Sequence, residues 1–445
     1  MLLRSPCSLF ERSVHLQLYN WLETADAFAD AQFGFRKHRS TTTACVYLTD
    51  IATYMMDKYN FAGMLSLDCS KAFDMIRWSS IVRSLKTAGA SSHVLKWTHD
   101  YLNGRSCQIE PGDSPTSIDS AVLRPTRGIP QGSVLGPMLF AVGLSLAGVD
   151  CIRNTYSQYA DDLTLCAGGD TPAEVRGRLS TQFQAVKSVI DDCGLILNAS
   201  KSHFMMVGSA QRLSRLEEDD NHILLEGSRV KRETTMRLLG VLFDERMSFF
   251  PHISEAAKKA RGRLRYLYRQ ATYLPTKTRK LLYLAFVYPL VTYADATFFM
   301  AQATASEMLE RVHNSAARWI TGDRRLIRGA SETALKTLGW RPLSEKRLLH
   351  MGSQIWASLN DPMWPRVMQV RRSSGSVTRL AQSRGLLLPK FHLKARRASF
   401  RVGGAKLWNS LPERVRNSIS LPEFRERFDS QVSHYLAGVL GCARQ

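Results

Sequence analysis

The sequence predicts an α+β fold, a mostly antiparallel sheet with helices packed on it and a helical run behind. Short stretches such as Gln158–Cys166 alternate apolar and polar residues, as half-buried strands do. Between them lie capped segments with apolar residues at helical spacing. Carboxylates stand at the ends of strands that would be neighbours, at Asp68 and at the adjacent Asp161 and Asp162.

The 445 residues are enough for two to four units, and 44% hydrophobic composition is that of a folded protein. Sixty Lys and Arg against 39 Asp and Glu give a formal net charge of +21, which predicts a polyanionic partner, nucleic acid first. A basic membrane-surface protein is the rival, but the charge is spread along the chain and no lipidation signal is present. Eight cysteines are scattered (7, 45, 69, 107, 151, 166, 193, 442), with no Cys-x-x-Cys, which argues against a disulfide framework and a zinc site. Reduced, intracellular thiols fit. Met1 to Phe10 lacks the apolar core of a secretory signal. Leu281 to Met300 raises a transmembrane question that Pro289 and Asp295 answer in favour of buried helices.

In chain order, Leu9 to Glu23 suits a helix, followed by Gln32 to Thr41, where glycine among aromatic and basic residues suits a loop over phosphates, although taken alone a solvated basic loop is favoured. Ser40 or Thr41 caps a helix with Ala44, Leu48, Ile51, Ala52 and Met55 on one side. Met64 to Leu67 is a strand ending at Asp68. Asp74 stands where an N-cap belongs, ahead of a helix from Met75 to Ala88 stopped by Gly89. Another helix starts at Ser91 or Ser92 and ends at Gly104, and Ser106 to Glu110 with Ser120 to Arg124 form a hairpin. Arg127 to Ser133 is a Gly/Pro turn into an apolar helix, Leu135 to Leu146. Ligand contact through Gln131 and a plain left-handed turn are both open there.

Gln158 to Cys166 predicts a hairpin whose turn holds Asp161 and Asp162 side by side. With Asp68 alongside, three mutually repelling carboxylates call for a divalent metal, and hard oxygen donors select Mg²⁺. The chemistry inferred is phosphoryl chemistry. Pro172 to Cys193 is a helix closed by Gly194, Leu195 to Val207 two strands around a polar bend, and Arg237 to Phe243 one more strand with Asp244 beyond. From Pro251 the chain is helical. Ala257, Ala260, Leu264, Leu267 and Ala271 share one face, while Lys258, Arg261, Arg265 and Arg269 stripe another beside Tyr266 and Tyr268, which favours nucleic-acid backbone binding over a solvated face. Tyr293-Ala294-Asp295 repeats the letters of the acidic hairpin but is read as a decoy within an apolar run. Beyond Leu326 lies a further unit, with a basic stretch at Arg371 to Arg384 and the segment Leu407-Trp408-Asn409-Ser410-Leu411-Pro412, to which no chemistry is assigned.

With these residues in view, the chain resembles the reverse transcriptases of non-LTR (LINE-type) retrotransposons. Gln-x-Gly-Phe-Arg at 32 to 36, Leu-Asp-x-Ser-Lys-Ala-Phe-Asp at 67 to 74, Gly-Ile-Pro-Gln-Gly-Ser-x-Leu-Gly-Pro at 128 to 137 and Tyr-Ala-Asp-Asp at 159 to 162 appear in family order. Leu-Asn-x-x-Lys at 197 to 201 and Leu-Leu-Gly-Val at 238 to 241 complete the series. The resemblance implies a right-hand polymerase: partial fingers at 1–60, a ferredoxin-like antiparallel palm with remaining fingers at 61–250, a helical thumb at 251–325 and a C-terminal extension at 326–445. It implies two Mg²⁺ ions, with Mn²⁺ as a substitute, on Asp68, Asp161 and Asp162. It gives Arg36 the triphosphate, Gln131 and Gly132 the nucleotide pocket, Phe73 the exclusion of a ribose 2′-hydroxyl, and Lys201 the protonation of pyrophosphate.

The implied partners are an RNA template, a DNA primer and dNTPs, with no membrane, and nuclear residence follows from the resemblance alone. The chain is expected to be N-terminally truncated and without an endonuclease domain, so nicking would come from elsewhere. The competing expectation is an inactive nucleic-acid-binding remnant. An RNA-templated RNA polymerase is disfavoured by Phe73.

Overall fold

The computed structural model describes residues 5–108, 122–270, 273–323, 329–372 and 385–430. The predicted connection between the strands at 106–110 and 120–124, most of the basic stretch at 371–384, Ala271 and Cys442 lie outside the described residues. Helix α1 spans Ser5–Thr24 and α2 Thr41–Lys58. Strand β1 is Phe61–Leu67 and β2 Cys69–Ser70, with helices α3 Ala72–Met75, α4 Trp78–Thr87 and α5 Ser92–Asn103 following. Next come β3 Cys107–Gln108 paired with β4 Val122–Leu123, α6 Gly136–Gly143, β5 Tyr156–Tyr159, β6 Asp162–Gly169 and α7 Pro172–Asp192.

The central sheet has four antiparallel strands. β7 is Ile196–Leu197 and β8 His203–Val207, and the sheet runs β5-β6-β1-β8. In chain order this is strand, helices, two hairpin strands, helix, strand, a split β-α-β arrangement. Two glycines show how closely helices cover the sheet. A Cβ on Gly63 would lie 2.4 Å from Val175 and 2.8 Å from Leu179 of α7; one on Gly168 would lie 2.4 Å from the Tyr59 ring just after α2. Side chains alternate across a strand, and Gly168 pairs with Ala62, the neighbour of Gly63, so α7 and the α2 end lie on opposite faces. α2 begins with a capping box: the Ser40 hydroxyl accepts from Thr43 N, and the Thr43 hydroxyl accepts from Ser40 N at 2.8 Å. Ala44, Leu48, Ile51, Ala52 and Met55 are all buried.

Two elements depart from expectation. Asp74 is not an N-cap: Lys71, at φ 50°, precedes the single turn α3, and α4 starts separately at Trp78 after an extended Arg77. The expected strand at 237–243 is a hairpin instead. Helix α8 is Ala210–Leu213, β9 (His222–Leu225) pairs with β10 (Ser228–Lys231), and β11 (Thr235–Leu238) turns through Leu239 at φ 47° and Gly240 at φ 82° into β12 (Val241–Asp244). Glycine tolerates that left-handed geometry and leucine rarely does, so the apolar run hid the turn.

The helical half comprises α9 Phe250–Gln270, α10 Thr276–Phe286, α11 Tyr288–Thr292, α12 Ala303–Thr321, α13 Ala330–Leu338 and α14 Leu343–Asn360. Later residues return to α2. Asp50, buried in its middle, receives Arg396 Nη1 at 3.0 Å and Arg401 Nη1 at 2.6 Å, and Asp57 accepts from the backbone N–H groups of His392 and Leu393 at 2.7 and 2.6 Å. One contiguous hydrophobic core runs from Leu18 to Phe428. No described helix is long and apolar enough to cross a membrane. Cys45, Cys69, Cys151, Cys166 and Cys193 are free thiols.

Candidate active site

The acidic end of the sheet follows from strand register. Tyr159 pairs with Asp162, leaving Ala160 and Asp161 as a two-residue turn with Ala160 at φ 59°. Only Asp161 is therefore in the turn; Asp162 opens β6. On the other side, Leu67 pairs with Leu163, so Asp68 stands one step further on, across from Asp162. The Asp68 carbonyl accepts from Asn198 N at 2.9 Å as the chain passes into the short β2–β7 ladder. Register alone thus brings together carboxylates that lie far apart in sequence.

The 32–36 motif supports this turn from outside. Phe33 N donates to Gln158 O at 2.7 Å, and Gln158 N donates to Ala31 O at 2.9 Å. The Gln158 side chain donates to Leu144 O at 2.9 Å and to Ala160 O at 3.2 Å. A Cβ on Gly34 would lie 2.4 Å from Ala160 N, so this glycine permits approach of the loop to the acidic turn itself.

Asp161 is half-buried and Asp162 opens to solvent at the sheet end, yet both carboxyls are pushed above their ordinary range. For Asp161 burial is the larger cause, opposed by its own backbone N–H and reinforced by Asp68. For Asp162 burial is again first, followed by the charges of Asp161 and Asp68. Burial, with Asp161 and Asp68 adding to it, pushes the neighbouring Cys69 thiol up to about 12. Lys201 Nζ lies 3.9 Å from Asp68 Oδ2, an open and well-screened pair. Among the described residues no group of three or more His, Cys, Asp or Glu side chains is arranged to hold a metal ion by itself. Crowded carboxylate oxygens at an open edge fit a hard divalent ion that takes the rest of its coordination from water and phosphate.

The other expected residues divide. Phe73 stacks on Phe140 with centroids 4.2 Å apart and meets Phe35 edge-on at 5.9 Å. Gln131 donates from Nε2 to Asp74 Oδ1 at 2.9 Å, and Gly132 has φ 86°. The loop is tied to the α3–α4 junction: Ile129 N donates to Phe73 O at 2.8 Å, and a Cβ on Gly128 would lie 2.5 Å from Asp74 O. Its close approach at Gly128 is chain to chain.

Arg36 is a correction. Its Nε and Nη2 donate to the Glu23 carboxylate at 2.9 and 2.6 Å and its Nη1 to Ala29 O at 2.8 Å, with the side chain only 7% exposed. That guanidinium is committed to the α1 end rather than free for a triphosphate. Lys258, Arg261, Arg265 and Arg269 are all exposed on α9 and make no ion pair with a described residue. Sequence reasoning missed the Asp74–Gln131 bond and a His203 Nδ1–Glu233 pair at 2.6 Å beside Ser66 of β1. Neither had a local signal, because each joins separate elements.

The fold and site define a mixed α+β protein whose carboxylates gather at one open sheet end. Residues 2–243 match the family model described as Reverse transcriptase (RNA-dependent DNA polymerase), more than half of the chain, and the chain belongs to that family. A probable RNA-directed DNA polymerase from transposon BS of Drosophila melanogaster is 26% identical over 345 residues, covering 74% of this chain and 36% of that relative. The RNA-directed DNA polymerase from mobile element jockey of Drosophila funebris is 22% identical over 331 residues, covering 72% of this chain and 35% of its own length. The chain thus spans about a third of the length of these curated relatives. The structure of apo telomerase from Candida tropicalis aligns over 76% of this chain and 52% of its own at a TM-score of 0.40 and 9% identity, a likeness too distant to argue from.

Proposed function

We propose that this chain is the RNA-directed DNA polymerase of a non-LTR mobile element, extending a DNA primer along an RNA template with dNTPs. The sheet is the palm, the segments before and within it the fingers, and α9 with the helices after it the thumb. The observation that carries this reading is the register that sets Asp68 across from Asp162, with Asp161 in the adjoining turn.

Asp68, Asp161 and Asp162 would hold Mg²⁺. The ions, when bound, supply Lewis-acid activation of the primer hydroxyl and neutralise the triphosphate. The chain's own part is positioning and electrostatics. Asp161 and Asp162, pushed above their ordinary range by burial and by neighbouring carboxylate charge, would be relieved by a cation, so the site prefers charge to arrive with substrate. The Phe73 ring, fixed between Phe35 and Phe140, is a rigid wall of the kind that rejects an extra sugar hydroxyl by collision. Gln131 and Gly132 would line the nucleotide position, a reading supported by the Gln131 amide being oriented by Asp74. Lys201, beside Asp68, is the candidate proton donor to pyrophosphate. The free cations of α9 hold the nucleic-acid backbone.

The test is extension of a DNA primer on an RNA template with Mg²⁺ and dNTPs, comparing the chain with its Asp161→Ala, Asp162→Ala variant. Extension that disappears in the variant supports the polymerase and its carboxylates together. A wild-type chain that binds primer-template and extends nothing supports the binding-remnant reading.

A further inference from the structure

A cavity of about 670 Å³ opens where the β12 exit, the start of α9, the segment after Asp295 and residues 394–398 meet. Its charges are unbalanced. Asp244 is consumed by capping, accepting from Ser248 N at 3.2 Å and Phe249 N at 2.7 Å, and Glu245 is paired with Arg232 at 2.6 Å. Arg246, Lys394 and Arg397 also line the cavity and make no ion pair with a described residue. Arg397 Nε is buried without a hydrogen-bond partner. Thr297, only 3% exposed, likewise lines the cavity with its hydroxyl unpartnered. Phe250 is 42% exposed at the rim.

Free cations and an aromatic face in one space are elements that hold single-stranded nucleic acid: phosphates meet the cations and a splayed base stacks on the ring. The volume suits a nucleotide-sized group. A duplex has no unstacked base to offer. The cavity wall includes Thr49 in the middle of α2 and none of Asp68, Asp161 or Asp162. We infer that this cavity is a single-stranded nucleic-acid site separate from the carboxylate end, in which a base lies on Phe250 and the flanking phosphates meet Arg246, Lys394 and Arg397.

The test needs neither metal nor dNTP, so its outcome is independent of polymerase activity. Binding of a short fluorescent single-stranded RNA is measured by anisotropy over a range of salt for the full chain, for Arg246→Glu with Lys394→Glu, and for Phe250→Ala. Arg261→Glu with Arg265→Glu on α9 serves as the contrast. The double cavity variant is expected to lose about tenfold or more in affinity, with a salt slope flatter by roughly 0.7 per lost phosphate contact. It should add to the α9 variant, and its thermal unfolding should be unchanged because both side chains are exposed. RNA carrying 5-iodouridine should crosslink within 246–250, a readout that stands even where a variant folds poorly. Unchanged affinity with crosslinks confined to α9 overturns the proposal. So does equal or tighter binding of duplex RNA to the cavity, or displacement of the RNA by inorganic phosphate alone, which would make the cavity an anion trap.

Discussion

Tyr159-Ala160-Asp161 and Tyr293-Ala294-Asp295 are the same three letters in nearly the same backbone, with alanine left-handed in both, at φ 59° and φ 51°. Their chemistry is opposite. Asp161 is held among carboxylates, its carboxyl pushed above the ordinary range by burial first and then by Asp68. Asp295 is buried against His350 Nδ1 at 2.8 Å, and the Tyr293 hydroxyl donates to Leu239 O at 2.6 Å, joining the helical half to the β11–β12 turn. The same letters thus leave it to their neighbours whether the carboxylate faces other carboxylates or a hydrogen-bonding imidazole.

The widest expected separation is in activity: Asp161→Ala with Asp162→Ala abolishes primer extension, whereas Asp295→Asn leaves extension per folded molecule intact. Loss of chemistry in the Asp295 variant breaks the comparison. A more buried version of Asp295 is Asp50, its side chain 3% exposed against Arg396 at 4%. Asp50→Ala strands that cation and is expected to cost about 3–5 kcal/mol in urea unfolding; a cost near zero would mean that water replaces the carboxylate. Asp295→Asn should cost less, roughly 1–3 kcal/mol, because His350 is partly open to solvent.

Smaller again is Phe73→Ala, expected to improve ribonucleotide incorporation relative to deoxyribonucleotide by roughly tenfold, about 1.4 kcal/mol. Unchanged sugar selectivity removes Phe73 from the gate. The least effect is on pH. Because the Asp161 and Asp162 pKa values are raised on folding, their contribution is favourable while they are protonated and is lost as pH rises through the folded values. Metal-free Asp161→Asn with Asp162→Asn should therefore melt slightly higher than wild type at neutral pH and no higher near pH 3, by calorimetry. The reverse order would show that the aspartates are relieved by a cation already in the chain.

A short apolar run made the strand before Asp68 legible and alternating arms the hairpin of Asp161 and Asp162, and strand-end carboxylates were informative because register is set by the buried face. Partners across the fold were not legible. Arg36 looked like a phosphate ligand because nothing local shows that Glu23, 13 residues back, folds onto it. Asp74 looked like a cap because its true contact, Gln131, lies 57 residues ahead. The β11–β12 hairpin was invisible because Leu239 occupies a conformation that leucine rarely takes. The attachment of the C-terminal residues had one faint signal, a lone aspartate at Asp50 amid residues that are otherwise buried without charge.

That attachment has a consequence for how the molecule is made. Asp50 emerges from a ribosome 346 residues before Arg396, roughly 20–70 s earlier at ordinary translation rates. Until then the helix packed on the central sheet carries an acid whose burial neither Arg396 nor Arg401 yet compensates, so it must stay hydrated or loosely docked. A transcript cut short before Arg396 would leave a chain unable to close its own interior, exposed to proteases.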